Sequence, residues 1–92
     1  MDLLLTMLKT DLGIKTTAYD TRLEEYLQAA QAEIIREGVS NLDTGSVSDA
    51  QLVVLYAAWA WRQRDNMGGM PPMLRYKLNN RVFSLKMQEA ST

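Results

Sequence analysis

The 92-residue sequence predicts an all-α fold of four helices, on the strength of three observations. Apolar residues recur at three- and four-residue spacings in separate stretches, which is the period of a helix. No stretch alternates apolar and polar residues over a useful length, as a half-buried strand would. The run Leu52–Trp61, LVVLYAAWAW, is apolar at ten consecutive positions. A helix there is apolar on every side and must be surrounded, by the rest of the chain or by another chain. The expected arrangement is one domain over residues 1–92, four helices around a central, all-round apolar third helix at about residues 49–65.

The first helix is expected over residues 2–12, where Leu4, Leu5, Leu8 and Leu12 share a face. Gly13 ends it, and Ile14 follows as an apolar contact just past the cap. KTTAYD is turn-like, with Thr17 or Asp20 available to cap the second helix. That helix runs from about Thr21 to Glu37 on a stripe of Leu23, Leu27, Ala30 and Ile34, and Gly38 suits its left-handed end. Residues 39–47 read as a polar loop. Ser48 and Gln51 have the spacing of a capping box and mark the start of the third helix. The paired glycines and prolines of NMGGMPPM break the chain before a fourth helix, for which Pro71 or Pro72 suits the first turn. Leu74, Leu78, Val82 and Leu85 are its expected stripe, and the final EAST is expected to fray.

Composition excludes much chemistry. With 47% apolar and 23% charged residues the chain is expected to be globular, and its net charge of -1 selects no partner. There is no cysteine and no histidine, so disulfides, thiolate nucleophiles, Cys/His zinc sites and imidazole acid–base catalysis are all ruled out. The N-terminal leucines follow an aspartate and are broken by Lys9, unlike a secretory signal. Leu52–Trp61 is about half the ~20 residues of a membrane span. A soluble cytoplasmic protein is expected. The close carboxylates Asp20/Glu24 and Glu33/Glu37 lie on wet helix faces without a nucleophile, so neither an enzyme nor a metal or cofactor site is expected. Gly68-Gly69 lacks the surroundings of a phosphate loop.

What remains is contact surface. Trp59 and Trp61 are separated by about 200° on a helix and face opposite ways. Either other helices bury both indoles, or one apolar face is left for another subunit. On the preferred assignment Leu52, Leu55, Tyr56 and Trp59 belong to the core, leaving Trp61, with Val54 and Ala58, for contact. Met67, Met70 and Met73 surround the break, either as a loop over the core edge or as an adaptable contact. Charge is divided along the chain. Residues 1–61 carry four basic and nine acidic side chains, residues 62–92 six basic and two acidic. The basic group Arg62, Arg64, Arg75, Lys77, Arg81 and Lys86 suits a solvated face, the acidic second helix of a neighbouring copy, or DNA.

Four segments together carry a resemblance: LKTDLGI (8–14), DTRLEEYLQAAQA (20–32), YAAWAWRQRD (56–65) and, above all, GMPPMLRYKLNNR (69–81). With them the chain resembles the small helical head–tail connector, or head-completion, proteins of tailed bacteriophages and prophages. These are packing and turn motifs, specific in combination and weak singly. The resemblance implies a structural virion subunit in a ring of about a dozen copies on the portal protein. Such a ring extends the DNA channel, lets DNA pass without sequence-specific binding, and docks a tail-ward completion protein. It also implies assembly in the bacterial host cytoplasm and a final place at the head–tail junction. Trp61, Arg62, Arg64, Met67, Met70, Met73, Arg75 and Arg81 are the expected subunit or portal interface. A small phage-encoded helical DNA-binding or regulatory protein is the alternative.

Overall fold

The computed structural model describes residues 2–63 and 69–90. Within them the chain is all-helical, with α1 at Asp2–Leu12, α2 at Asp20–Glu37, α3 at Val47–Gln63 and α4 at Pro72–Ala90. No strand occurs among the described residues. Helix α3 is central and packs against α1, α2 and α4. The Cα atoms span 46 × 28 × 17 Å. A thickness of 17 Å accommodates two layers of helices spaced about 8–10 Å apart, so α3 has neighbours beside and behind it but no third layer in front.

The core is the set of stripes that periodicity picks out. Leu4 and Leu8 of α1, Leu23, Leu27, Ala30 and Ile34 of α2, and Leu74 and Leu78 of α4 are buried in one cluster with Val53, Val54, Ala57 and Ala58 of α3, while Leu85 of α4 is buried outside it. Both glycine-terminated helices close in the same way. The Ile14 amide donates to the Lys9 carbonyl and the Gly13 amide to that of Thr10, the paired bonds of a Schellman motif, with Gly13 at φ +73°. At the end of α2, Val39 donates to the Ile34 carbonyl and Gly38 to that of Ile35, and Val39 is fully buried. Gly38 has φ +129°, and a Cβ there would lie 3.2 Å from Val82 Cγ1 of α4. Gly38→Ala therefore combines backbone strain with crowding at the α2–α4 junction. A loss of about 2 kcal/mol is expected in denaturant unfolding, against almost none for Gly69→Ala, whose Cβ would meet open space.

Several helix starts differ from the sequence reading. Helix α2 begins at Asp20 behind Tyr19 and has no side-chain cap, so neither Thr17 nor Asp20 fills that role. The Asp20 carboxylate instead takes Lys9 of α1 at 2.8 Å. Helix α3 begins at Val47, with the Ala50 amide bonded to the Ser46 carbonyl, so Ser48 lies inside the first turn rather than at the cap. The polar side chain that organises this end is Asp49. The predicted end of α3 at Asp65 lies outside the described residues. Pro72 opens α4, as its lack of an N–H allows.

Candidate interaction surface

The surface of interest is built from α3 and α4. Towards α1 and α2, α3 is closed. Val54 and Ala58 are buried, and Trp61 is 9% exposed, its indole edge-on to Tyr19 at 5.8 Å and to Tyr26 at 5.3 Å. The expectation that Trp61 is a contact residue is therefore corrected. The N-terminal half of α2 crosses the end of α3 and brings two tyrosines onto that indole. Trp59 lies on the opposite side and is only partly buried. Its Nε1 donates to the Gly69 carbonyl at 3.3 Å and its ring meets Tyr56 edge-on at 5.4 Å. Leu55 and Tyr56 are partly buried too. The open side of α3 thus carries the partly buried Leu55 and Trp59 while Leu52 of the same stripe is buried as expected, so the two indoles exchange the places read for them from the sequence.

Shallow grooves flank this open side. Between α1 and α3 the walls are Thr6, Met7, Thr10, Val54 and Leu55; between α3 and α4 they are Leu52, Leu55, Met73, Tyr76 and Asn80. Apolar exposure continues from the α3–α4 groove onto the outer face of α4, where Met73 and Tyr76 on the groove rim and Phe83 and Met87 beyond it are 57–65% exposed. Tyr56 lies near Glu33 and Glu37 of α2; burial first, and those carboxylates second, push its phenol up, so it stays a neutral hydrogen-bonding group.

The basic residues are used differently from expectation. Arg62 reaches α1, donating to the Asp11 carbonyl at 3.3 Å and its carboxylate at 3.5 Å. Arg75 pairs with Glu37 of α2 at 3.0 Å. Arg81 is the most enclosed. Its Nε and Nη2 bind the two oxygens of Asp49 at 2.7 and 3.0 Å, and Nη2 also donates to Asn41 Oδ1 at 2.8 Å. Asp49 is buried and accepts the Asp43 amide at 3.0 Å as well. The Arg81 hydrogen bonds hold the Asp49 carboxyl below the ordinary carboxylate range, against the upward push of burial and with help from the Asp43 amide. Arg62, Arg75 and Arg81 therefore fasten the chain to itself. Arg75 meets an acidic second helix, but its own.

Of the other expected interface residues, Met70 is half-buried against the core edge and Met73 is exposed. Arg64 and Met67 lie outside the described residues. Lys77 and Lys86 are exposed and make no ion pair among the described residues. Three of the four paired carboxylates of α2 meet cations: Asp20 meets Lys9, Glu33 meets Arg36 and Glu37 meets Arg75. Among the described residues no group of three or more acidic side chains could hold a metal ion, and no helix is long and apolar enough to cross a membrane. What the arrangement offers is apolar contact area.

The chain matches no family model, no curated protein and no solved structure.

Sequence reasoning missed two features of this surface. The outer face of α4 was hidden behind the leucine stripe on the same helix, although its spacing of i, i+3, i+10 and i+14 is readable. The Asp49–Arg81 pair joins residues 32 apart and has no local signal.

Proposed function

We propose that this chain is a non-enzymatic structural subunit of the head–tail junction of a tailed bacteriophage or prophage, assembling as a ring of about a dozen copies on the portal protein. The observation that carries the reading is the outer face of α4. Four large apolar side chains, Met73, Tyr76, Phe83 and Met87, stand out of a body that already has a complete core. Exposed apolar faces rimmed by polar residues are common at protein contacts. The open side of α3, with Leu55 and Trp59, adds apolar surface that adjoins this face at Met73 and turns to another side of the subunit. A closed ring needs two unlike complementary patches, because each copy uses one to hold the preceding subunit and the other to hold the next. The resemblance in GMPPMLRYKLNNR supplies the setting, and it falls on the break before α4 and on its first half.

The duplex-reading alternative is weakened by the same geometry. Arg75 and Arg81 lie on α4 but are committed to Glu37 and Asp49. That leaves Lys77 and Lys86 as the exposed cations of the helix, too sparse a set for strong phosphate binding.

The decisive experiment mixes the purified chain with the portal assembly of the same phage and images the product. Rings stacked on the portal are expected, and Tyr76→Glu with Phe83→Glu should abolish them while leaving the helical circular dichroism unchanged. A chain that leaves the portal bare, or that shifts duplex DNA at low salt with a steep salt dependence, overturns the reading.

A further inference from the structure

The outer face of α4 has a repeat that the ring reading does not require. Met73, Tyr76, Asn80, Phe83 and Met87 fall at i, i+3, i+7, i+10 and i+14, the alternating three- and four-residue spacing of a coiled-coil seam. All five are exposed and turned from the buried Leu74, Leu78 and Leu85, with Met73, Tyr76 and Asn80 along the rim of the α3–α4 groove. α4 is thus two-sided: one face docks on α3, and the other presents two and a half heptads to solvent. We propose that this second face pairs the free chain with α4 of a second copy, parallel and in register, with Asn80 against Asn80.

The central asparagine selects both partner and direction. Buried in a helix seam, its amide needs a polar group at the same level. A second copy in parallel register supplies one automatically, since equivalent positions face each other, and a single Asn in such a position is a known device for fixing register and pairing. Antiparallel pairing would set Asn80 against Phe83 or Tyr76. Opposite Phe83 the amide would have no partner.

The flanking positions permit the parallel arrangement. Across the interface Pro72 would face Lys77 and Asn79 would face Ser84, so no like charges are brought together. The four large side chains, 57–65% exposed, offer on the order of 500 Å² together, so pairing two copies removes at most about 1,000 Å² from water, the lower edge for a specific interface. A weak, reversible dimer is expected. It shields the face until another contact replaces it.

This pairing is a property of the free chain and does not rest on the ring reading. A two-fold contact closes at two copies, whereas a ring contact does not. Failure of one therefore leaves the other standing.

The chain has no cysteine, so single cysteines report the geometry without background. Met73→Cys and Met87→Cys are each expected to form covalent dimers on mild oxidation, because parallel pairing brings each position to its own copy. A mixture of the two variants should give no excess of the mixed product that links position 73 to position 87. The unmodified chain should sediment as a concentration-dependent dimer, and Phe83→Glu should weaken that dimer at least about tenfold, as loss of a central anchor does. If neither variant cross-linked alone, while Tyr76→Cys mixed with Met87→Cys or Met73→Cys mixed with Phe83→Cys did, the pairing would be antiparallel and the proposal overturned. So would a monomer without cross-links up to about 100 µM, where a contact of this area should be populated.

Discussion

Trp61→Ala is expected to cost about 3–5 kcal/mol of folding stability, the range for removal of a large buried aromatic. The indole fills the junction where the start of α2 meets the end of α3, and two tyrosine rings contact it edge-on. Truncation leaves a void lined by Tyr26 and the partly exposed Tyr19, and it removes two aromatic contacts worth roughly 0.5–1.5 kcal/mol each beyond their area. Trp61→Phe should recover much of the loss. Trp59→Ala should cost distinctly less, about 1–2 kcal/mol, because that side chain is only partly buried and its indole bond goes to the loop carbonyl of Gly69. Urea unfolding followed by circular dichroism, at a dilution where only monomer is present, measures both. Trp59→Ala proving the costlier change would show that the closed and open sides of α3 are exchanged.

That ranking inverts the one read from the sequence, and the reason is physical. A helix apolar at ten consecutive positions has no polar side to mark the outside. The 200° between the indoles establishes that they diverge, but not which one meets a neighbour. The deciding groups, Tyr19 and Tyr26, lie some forty residues earlier and are brought in by the α2–α3 packing. Where a helix is amphipathic, its core face is legible. Leu23, Leu27, Ala30 and Ile34 are buried, and so are Leu74, Leu78 and Leu85. Glycine caps are legible as well, since Gly13 and Gly38 take positive φ values that other residues resist. Ion pairs between helices are not. The basic last third of the chain suited a solvated face, a neighbouring copy's acidic helix or DNA, yet Arg62, Arg75 and Arg81 each find a carboxylate within the chain. Charge distribution along a sequence does not encode which side chains meet after folding. On the candidate surface, Met73 was recognised from composition, whereas Tyr76, Phe83 and Met87 follow only once the leucines of α4 are seen to point the other way.

Asp49→Ala is the second large effect, at about 3 kcal/mol, because it breaks a buried pair and strands what remains. Arg81, with its side chain 20% exposed, would keep only Asn41, and the Asp43 amide would lose its acceptor. Three elements loosen together: the start of α3, the middle of α4 and the loop between α2 and α3. Arg81→Ala should be of similar cost, since it leaves a carboxylate that is 5% exposed without its cation. The double replacement Asp49→Leu with Arg81→Met should then be far less damaging than the two single losses added, as removing both members spares the desolvation of an unpaired charge. Strict additivity would show that the pair is not coupled. The pH dependence has a definite sign. The folded carboxyl is held below its unfolded value of about 3.9, so the contribution is complete above that pH and is lost as acid takes the folded group through its own lower value. Thermal unfolding of the wild-type chain should therefore fall more steeply below about pH 4 than that of Asp49→Asn, which has no such proton to bind. Parallel acid profiles for the two would place the acid sensitivity elsewhere in the fold. The pair also sits beside the Met73, Tyr76 and Asn80 side of α4. Weakening it should let α4 shift on α3 and impair any contact made through that helix, whereas Phe83→Glu acts on the contact and leaves the pair intact. Comparing the two separates a helix that has lost its seat from one that has lost its face.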